Sequence, residues 1–304
     1  MEDVLPLSAL PAPLSRSPRA AFRWFTCASL LSVGLFVVAP VSANEAAEVV
    51  SQINQYRESG RDCAGDFKPP AGPLATSEVL AGVPTIAGQD LGFLLQRAGY
   101  QAAQAQAVRV TGPEDVAMMM TVLQQKYCAV LMNPAYADVG VSREGKRWQL
   151  VMARSLLSSG MGDWEEAGRE VLDLVNEVRG ESRTCGNETF PSTLPLAWND
   201  ELASAALDHS HDMAKQNYFS HTGRDNSQVG ERVGRQDYEY QVVGENLAAG
   251  HGSAKQAVAG WLMSPGHCAN LMNPQFTEMG AAYVVNPASD SAIFWTQVFA
   301  APKE

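Results

Sequence analysis

Two histidines and two glutamates in the second half of the chain have the side chains to form one chemical site. His221 and His267 stand at the two ends of this set, and Glu231 and Glu245 lie between them, each next to a glycine. We expect all four residues in loops or glycine-marked turns, with each histidine just after a helix. Neutral imidazole ligates zinc, and imidazoles beside carboxylates also transfer protons, so the set could be a metal site or an acid-base cluster. Spacing alone leaves a third reading open, in which the four are scattered surface residues.

The remaining histidines have patterns that favour structural roles. His209 recurs with Leu202 and Met213 at helical spacing on one face, which predicts a buried histidine with its hydrogen bonds satisfied. His211 falls near the opposite face and is expected in solvent. His251 is flanked by two glycines, and we expect it in an exposed loop with no role in the site.

Two helices are predicted to position the candidate site. Asn199 or Asp200 caps a helix that runs to about Gln216, just before His221. Ser253 caps a second helix that runs to Met263, just before the segment that carries His267. The site residues would therefore follow the carboxyl ends of two helices.

The amino terminus has the pattern of a secretory signal peptide. Three arginines precede an apolar run at residues 24–39, and small residues follow it at Val41-Ser42-Ala43. We predict cleavage after Ala43, which gives a secreted or periplasmic protein that is not integral to the membrane. An uncleaved anchor is the weaker alternative, because a membrane-spanning helix needs roughly 20 apolar residues.

The chain contains an internal repeat. Residues 53–63 parallel residues 175–185 at an offset of 122, and residues 128–134 parallel residues 268–274 at an offset of 140. The first copy is thus 18 residues shorter in its middle. We predict a first domain at 44–156, a linker at 157–166 and a second domain at 167–301.

The repeat also suggests how the cysteines pair. Export places the chain in an oxidising compartment, and each copy has one early and one late cysteine. The symmetrical pairing is Cys63 with Cys128 and Cys185 with Cys268. A structural metal shared by the four cysteines is disfavoured because the sequence has no CxxC pair.

Charge and histidine are distributed unequally between the copies. All five histidines lie in the second copy, and residues 161–304 hold 20 acidic and 9 basic residues, against 11 and 10 in residues 44–160. A fold shared by both copies would not need this difference, so the site is expected in the second copy. The net charge of -11 argues against nucleic-acid binding, which relies on clustered Lys and Arg.

Several motifs of the second copy are similar to a known family. They are Phe219-Ser220-His221, Gly244-Glu245-Asn246-Leu247-Ala248, Ser264-Pro265-Gly266-His267-Cys268-Ala269-Asn270 and Phe294-Trp295-Thr296-Gln297-Val298-Phe299. In this order they resemble the CAP superfamily of cysteine-rich secretory, antigen 5 and pathogenesis-related proteins, also called the SCP domain. The resemblance implies an α+β fold of tandem three-layer α-β-α sandwiches, with a cleft lined by His221, Glu231, Glu245 and His267.

The first copy then looks like a degenerate CAP domain. Tyr127 stands where His267 would be, and no histidine can replace His221. We therefore expect no cleft chemistry in this copy, whose roles would be packing against the second copy or presenting a partner surface. A helix starting at Pro113 is expected to bury a set of apolar residues as core: Val116, Met119, Met120 and Leu123.

Three functions remain open. The first is a secreted binding protein that holds zinc or another divalent cation through His221 and His267, beside a groove for an unidentified lipid, sterol, glycan or peptide. The second is a metal-assisted hydrolase of peptide or cell-wall material, with Glu245 or Glu231 as general base. The third is a structural or adhesive protein in which the four residues only brace loops. The resemblance implies diverse roles without one shared reaction, so we favour binding over catalysis.

Overall fold

The computed structural model describes residues 43–85, 89–156 and 161–303. The predicted signal peptide lies outside these ranges except for its last residue. The first half contains these elements in chain order: α1 (Ala43–Arg57), β1 (Arg61–Cys63), β2 (Asp66–Lys68), β3 (Ala75–Thr76), α2 (Glu78–Gly82), α3 (Leu91–Arg97), β4 (Ala102–Thr111), α4 (Val116–Lys126), α5 (Cys128–Leu131), β5 (Asp138–Glu144) and β6 (Arg147–Ser155).

The second half follows from Trp164. Its elements are α6 (Trp164–Arg179), β7 (Arg183–Cys185), β8 (Glu188–Phe190), β9 (Ala197–Trp198), α7 (Asp200–Gln216), α8 (Val229–Gly234), β10 (Tyr240–Ala249), α9 (Ala254–Leu262), α10 (Pro265–Met272), β11 (Glu278–Val285) and β12 (Ile293–Pro302). Mixed helices and sheets confirm the predicted α+β class. Within the described ranges, every helix is too short or too polar to span a bilayer.

Both halves contain a four-stranded sheet with the same strand arrangement. The order is β3-β5-β6-β4 in the first half and β9-β11-β12-β10 in the second. In each sheet the short edge strand runs parallel to its neighbour, and the other pairs are antiparallel. A two-stranded hairpin, β1-β2 or β7-β8, accompanies each sheet.

Helices cover both faces of the sheet in the second half. Successive residues of a strand point to opposite faces, so neighbouring positions sort into different cores. Ala281 and Phe299 pack with α6 and α9, whereas Ala282 and Ala300 pack with α7. The second half is therefore built in three layers, and its sheet carries the strand that holds Glu245.

The first half differs mainly where its sequence is shorter. Helix α7 has 17 residues, and the helix that follows the corresponding strand in the first half, α2, has 5. Leu80 and Val151 form one small core here, while α1 and α4 pack on the other sheet face. The four apolar residues predicted as core of this helix are buried in α4. The helix begins at Val116, with Asp115 as its cap, and not at the predicted Pro113.

Matching buried contacts occur in the two halves. Arg57 donates hydrogen bonds to the carbonyls of residues 72, 131, 133 and 136, and Arg179 donates to those of residues 194, 271, 273 and 276. These carbonyls are separated by the same offsets of 122 and 140 that relate the sequences. The two predicted disulfides, Cys63–Cys128 and Cys185–Cys268, are both present.

Candidate functional site

The candidate site is a cavity of about 620 Å³ that both halves of the chain line. The second half contributes His221, Glu245 and His267, the three candidate residues that the structure brings together. Its full lining is Asn54, Glu58, Ser59, Pro70, Ala71, Pro73, Phe219, Ser220, His221, Glu245, Leu247, Gly266, His267 and Asn270. Polar groups thus converge on a wall that also contains prolines, a phenylalanine and a leucine.

Glu245 links His221 to a buried arginine. Its Oε1 lies 2.7 Å from Nδ1 of His221, and its Oε2 lies 2.6 Å from Nη2 of Arg232. Because a carboxylate accepts hydrogen bonds, the shared proton belongs to Nδ1 of His221. When the imidazole is neutral, its Nε2 then has a free lone pair. A neutral imidazole with such a nitrogen is the form of histidine that ligates a metal.

The charge of the Glu245 carboxylate is held in place by these partners. Its side chain is only 3 % exposed, whereas that of His221 is 56 % exposed. Burial acts to raise the pKa of Glu245, but the hydrogen bond from His221 and the nearby charge of Arg232 outweigh it and lower the pKa. Glu245 is therefore an anion with a hydrogen-bond partner on each oxygen.

Arg232 also fixes the loop that carries His221. Its Nη2 donates to the carbonyl of His221 at 3.1 Å, and its Nη1 donates to the carbonyl of Ser227 at 2.8 Å. One buried guanidinium therefore positions the histidine backbone and the glutamate side chain together. The fixed fork of donors in arginine suits such a shared contact.

His267 lies in the first turn of helix α10, where Pro265 occupies the first position. Asn246 donates to the carbonyl of His267 at 3.2 Å, and Asn270 donates to Asn246 at 3.0 Å. The next residue, Cys268, joins the helix to β7 through its disulfide. These contacts fix the helix against the strand that carries Glu245.

Burial changes the protonation of His267. Removal from solvent lowers the pKa of its imidazole to about 3, and the neighbouring His221 acts in the same direction. Its Nδ1 is buried without a hydrogen-bond partner among the described residues. The imidazole is therefore neutral near pH 7 and has an unused polar atom.

Glu231 does not join the other three candidates. It lies on α8, where its exposed carboxylate accepts a hydrogen bond from the backbone N–H of Gln228 at 2.8 Å. The expectation that all four candidates lie in loops is wrong for three of them. Glu231 and His267 lie in helices and Glu245 lies in strand β10, so only His221 is in a loop.

The other histidines follow the sequence pattern in two of three cases. His209 is buried as predicted, with Nε2 bonded to the carbonyl of Ser220 at 2.9 Å, but its Nδ1 has no hydrogen-bond partner among the described residues. His211 is exposed, as predicted. The prediction for His251 is wrong: it is fully buried, and its Nε2 donates to the carbonyl of Pro73 at 2.9 Å. The first half of the chain covers it.

Several residues of the site were not predicted from the sequence. Arg232 is adjacent to the predicted Glu231, but the local pattern does not indicate which of two neighbouring charged side chains contacts Glu245. Asn270 lies within the motif that contains His267, and that motif alone predicts no role for it. Glu58 and Pro73 come from the half in which no site was expected, and no local signal identifies them.

The side chains of the cavity include groups of the type that ligates a divalent cation, but fewer of them than a complete coordination shell needs. Two neutral imidazoles suit zinc, and the Glu245 contact orients one of them as carboxylates orient zinc-ligating histidines. Among residues 43–85, 89–156 and 161–303, however, no group of three or more His, Cys, Asp or Glu side chains is placed to hold a metal. A cation here would have two protein ligands and an open remainder of its shell.

Comparison with known proteins identifies the half that carries this site. Residues 172–299 match the family model named CAP, the cysteine-rich secretory protein family. This part of the chain is a CAP domain. The match includes the loop of His221, strand β10 and helix α10, so the cavity lining from the second half lies inside the CAP domain.

Two curated relatives are similar to part of this chain. The chain is 33% identical over 131 residues to protein YkwD and 32% identical over 112 residues to membrane protein YlbC, both of Bacillus subtilis (strain 168). These regions cover 43% and 37% of this chain, and 46% and 30% of those proteins. The chain therefore spans less than half the length of these curated relatives.

A solved structure is also similar. An extracellular protein containing a SCP domain, from Bacillus anthracis str. Ames, is 30% identical, with 52% of each chain covered and a TM-score of 0.39.

Proposed function

We propose that the chain is an exported binding protein whose cavity holds a divalent cation, with zinc as the first candidate, on His221 and His267. The remainder of the cavity would receive the unidentified ligand, whether lipid, sterol, glycan or peptide. The observation that carries the proposal is the contact between Glu245 and Nδ1 of His221, which leaves Nε2 of that imidazole free to ligate.

Export is supported by features of the chain itself. Disulfides persist in oxidising compartments, and the structure has two of them. The predicted signal peptide at residues 1–43 is consistent with the same location. We also propose that the first half, residues 44–156, is a second and degenerate CAP-like domain, because its sheet order matches that of the CAP domain.

Binding is favoured over hydrolysis by the state of the carboxylates. A general base needs a free oxygen and a pKa near the working pH. Glu245 has a lowered pKa and a partner on each oxygen, and Glu231 is exposed and bonded to its own helix terminus. Neither of the two glutamates considered as general base is therefore poised to activate water.

The proposal is tested by calorimetric titration of residues 44–304 with zinc at pH 7. We expect one-site binding that is lost in the His221→Ala, His267→Ala double variant. His211→Ala is the matched control, because His211 is exposed and outside the cavity lining. Absence of binding in the wild type, or equal binding in the double variant, would contradict the cation site.

The same variants test the bracing role. If the two histidines only hold loops together, the double variant melts at a much lower temperature and zinc does not change the melting temperature of the wild type. The cation site predicts instead that zinc raises the wild-type melting temperature and leaves that of the double variant unchanged.

A further inference from the structure

The first half of the chain forms one wall of the CAP-domain cavity. Pro70, Ala71 and Pro73 line it together with His221 and His267. The carbonyl of Pro73 accepts the hydrogen bond from the buried His251, and a Cβ on Gly72 would lie 2.9 Å from the backbone nitrogen of Ala249. Such close backbone approach shows that this wall packs directly on strand β10 and is a built part of the cavity.

A side chain of this wall reaches the start of the helix that carries His267. Ser264 immediately precedes α10 and is fully buried. Serine at such a position usually accepts a hydrogen bond from a backbone N–H of the first helical turn, and Ser264 makes no such bond. Its hydroxyl instead donates to Oε1 of Glu58 at 2.6 Å, across the boundary between the halves.

A second contact from the same segment reinforces this arrangement. Asn54 lies on α1, one turn before Glu58, which immediately follows the helix. Asn54 donates to the carbonyl of Met263 at 3.3 Å, just before Ser264. The corresponding residue of the second half, Asn176, bonds to Leu196 as Asn54 bonds to Leu74. The bond to Met263 is therefore an addition to a contact that both halves share.

We infer that Glu58 is a positioning residue of the CAP-domain cavity: it acts through Ser264 to hold the helix that carries His267. The ligand site is thus built by both halves, and the first half is required although it has no histidine of its own. This inference extends the proposed function to the first half of the chain. It rests on the proposed function where zinc is used as the probe of the cavity.

The charge of Glu58 favours the same kind of ligand. Within the described ranges Glu58 makes no ion pair, whereas the other carboxylate of the lining, Glu245, is paired with Arg232. The carboxylate of Glu58 therefore lines the cavity with no cationic partner in the described part of the chain. A cation in the cavity is attracted by that charge, and an anionic ligand is repelled.

Four variants of residues 44–304 separate the hydrogen bond from the charge. Glu58→Ala and Ser264→Ala remove the bond, so each should speed amide exchange in residues 266–272 and weaken zinc binding about tenfold. Glu58→Gln keeps an acceptor oxygen, so it should retain slow exchange. The double variant Glu58→Ala, Ser264→Ala should be no worse than either single change, because both remove one interaction.

Glu48→Ala is the control, since Glu48 is exposed on α1, the helix that precedes Glu58, and bonds only to Gln52 in the described residues. Unchanged exchange in residues 266–272 on Glu58→Ala, relative to this control, would overturn the inference. Exchange is measured without metal, so it judges the inference even if the wild type binds no zinc. Absence of zinc binding with faster exchange in Glu58→Ala would reject the cation site and keep the positioning role.

Discussion

The Glu245 carboxylate is a buried charge whose two oxygens have different partners. Arg232 balances the charge of this carboxylate. The hydrogen bond between Glu245 and His221 keeps the imidazole proton on Nδ1. A buried ion pair costs desolvation energy, so its presence here is explained by the arrangement it imposes on His221 rather than by stability alone. The sequence motif around Glu245 predicted the residue but not its arginine partner.

Removal of Arg232 should destabilise the fold. Arg232→Ala leaves Glu245 buried without its cation, and we expect the free energy of unfolding to fall by about 3–5 kcal/mol in urea titrations. Arg235→Ala is the matched control, because the ion pair of Arg235 with Asp225 is about half exposed, and exposed ion pairs contribute little to stability. Equal losses in the two variants would show that Arg232 has no special role.

Asp138 makes stability depend on pH in the first half. It is 3 % exposed, and burial raises its pKa to about 6 against the opposing hydrogen bond from Tyr100. An unfolded aspartate titrates near about 3.9, so the folded state binds this proton more tightly. Stability from this group is therefore present below about pH 4 and is lost as the pH rises through about 6.

Asp138→Asn should remove that dependence. The amide oxygen can still accept from Tyr100 and Gln256, so the variant should be more stable than wild type by about 2–3 kcal/mol at pH 7 and by little at pH 4. Urea unfolding at both pH values measures the difference. Asp173→Asn, which changes an exposed aspartate, is the control, and a difference that is constant with pH would contradict the account.

At the scale of elements, the contact of helix α7 with strand β11 requires a glycine. A Cβ on Gly280 would lie 2.0 Å from the backbone nitrogen of Ala203. In the first half, a Cβ on Gly140 would lie 2.0 Å from the nitrogen of Ala81 in helix α2. The same close approach of a helix start to a middle strand therefore occurs in both sheets, even though α2 is much shorter than α7.

Gly280→Ala should separate these elements. The added methyl group meets backbone atoms, which cannot rotate away, so α7 must shift and the free energy of unfolding should fall by about 3 kcal/mol. Gly234→Ala is the control, because a Cβ there has no neighbouring atom within 4 Å. Chemical denaturation measures both, and a loss below about 0.5 kcal/mol in Gly280→Ala would show that the helix accommodates the methyl group.

At the scale of the molecule, buried contacts join the two halves. His251 donates to Pro73, Ser264 donates to Glu58, and Ser291 donates to Pro134 at 3.0 Å. The described residues also belong to one compact unit. Two domains with a small polar interface would move and unfold separately, whereas these contacts couple the halves.

We therefore expect residues 44–304 to unfold in a single calorimetric transition. His251→Ala removes a buried side chain and leaves the Pro73 carbonyl unpaired, so the whole transition should move to lower temperature with a loss of about 3 kcal/mol. His211→Ala, in which an exposed histidine is changed, should leave it in place. Two resolved transitions in the wild type would show that the halves are energetically independent.

Local patterns of the sequence were sufficient for several features of this protein. The helix caps Asn199 and Ser253, the buried face of His209 and the exposure of His211 depend on residues a few positions apart. The two disulfides could be predicted because the repeat gives each cysteine an equivalent. The α+β class and the CAP domain followed from motifs in order, while the signal peptide, domain boundaries and cation remain predictions.

Only the tertiary structure decided which of these residues meet. His251 is buried by Pro73, which is 178 residues away, and no local periodicity encodes contact over that distance. Glu231 and Arg232 are adjacent in sequence, but the turn of helix α8 directs one to solvent and the other to Glu245. Packing between the halves likewise placed Glu58 in the cavity, because burial depends on what covers a residue as much as on its own type.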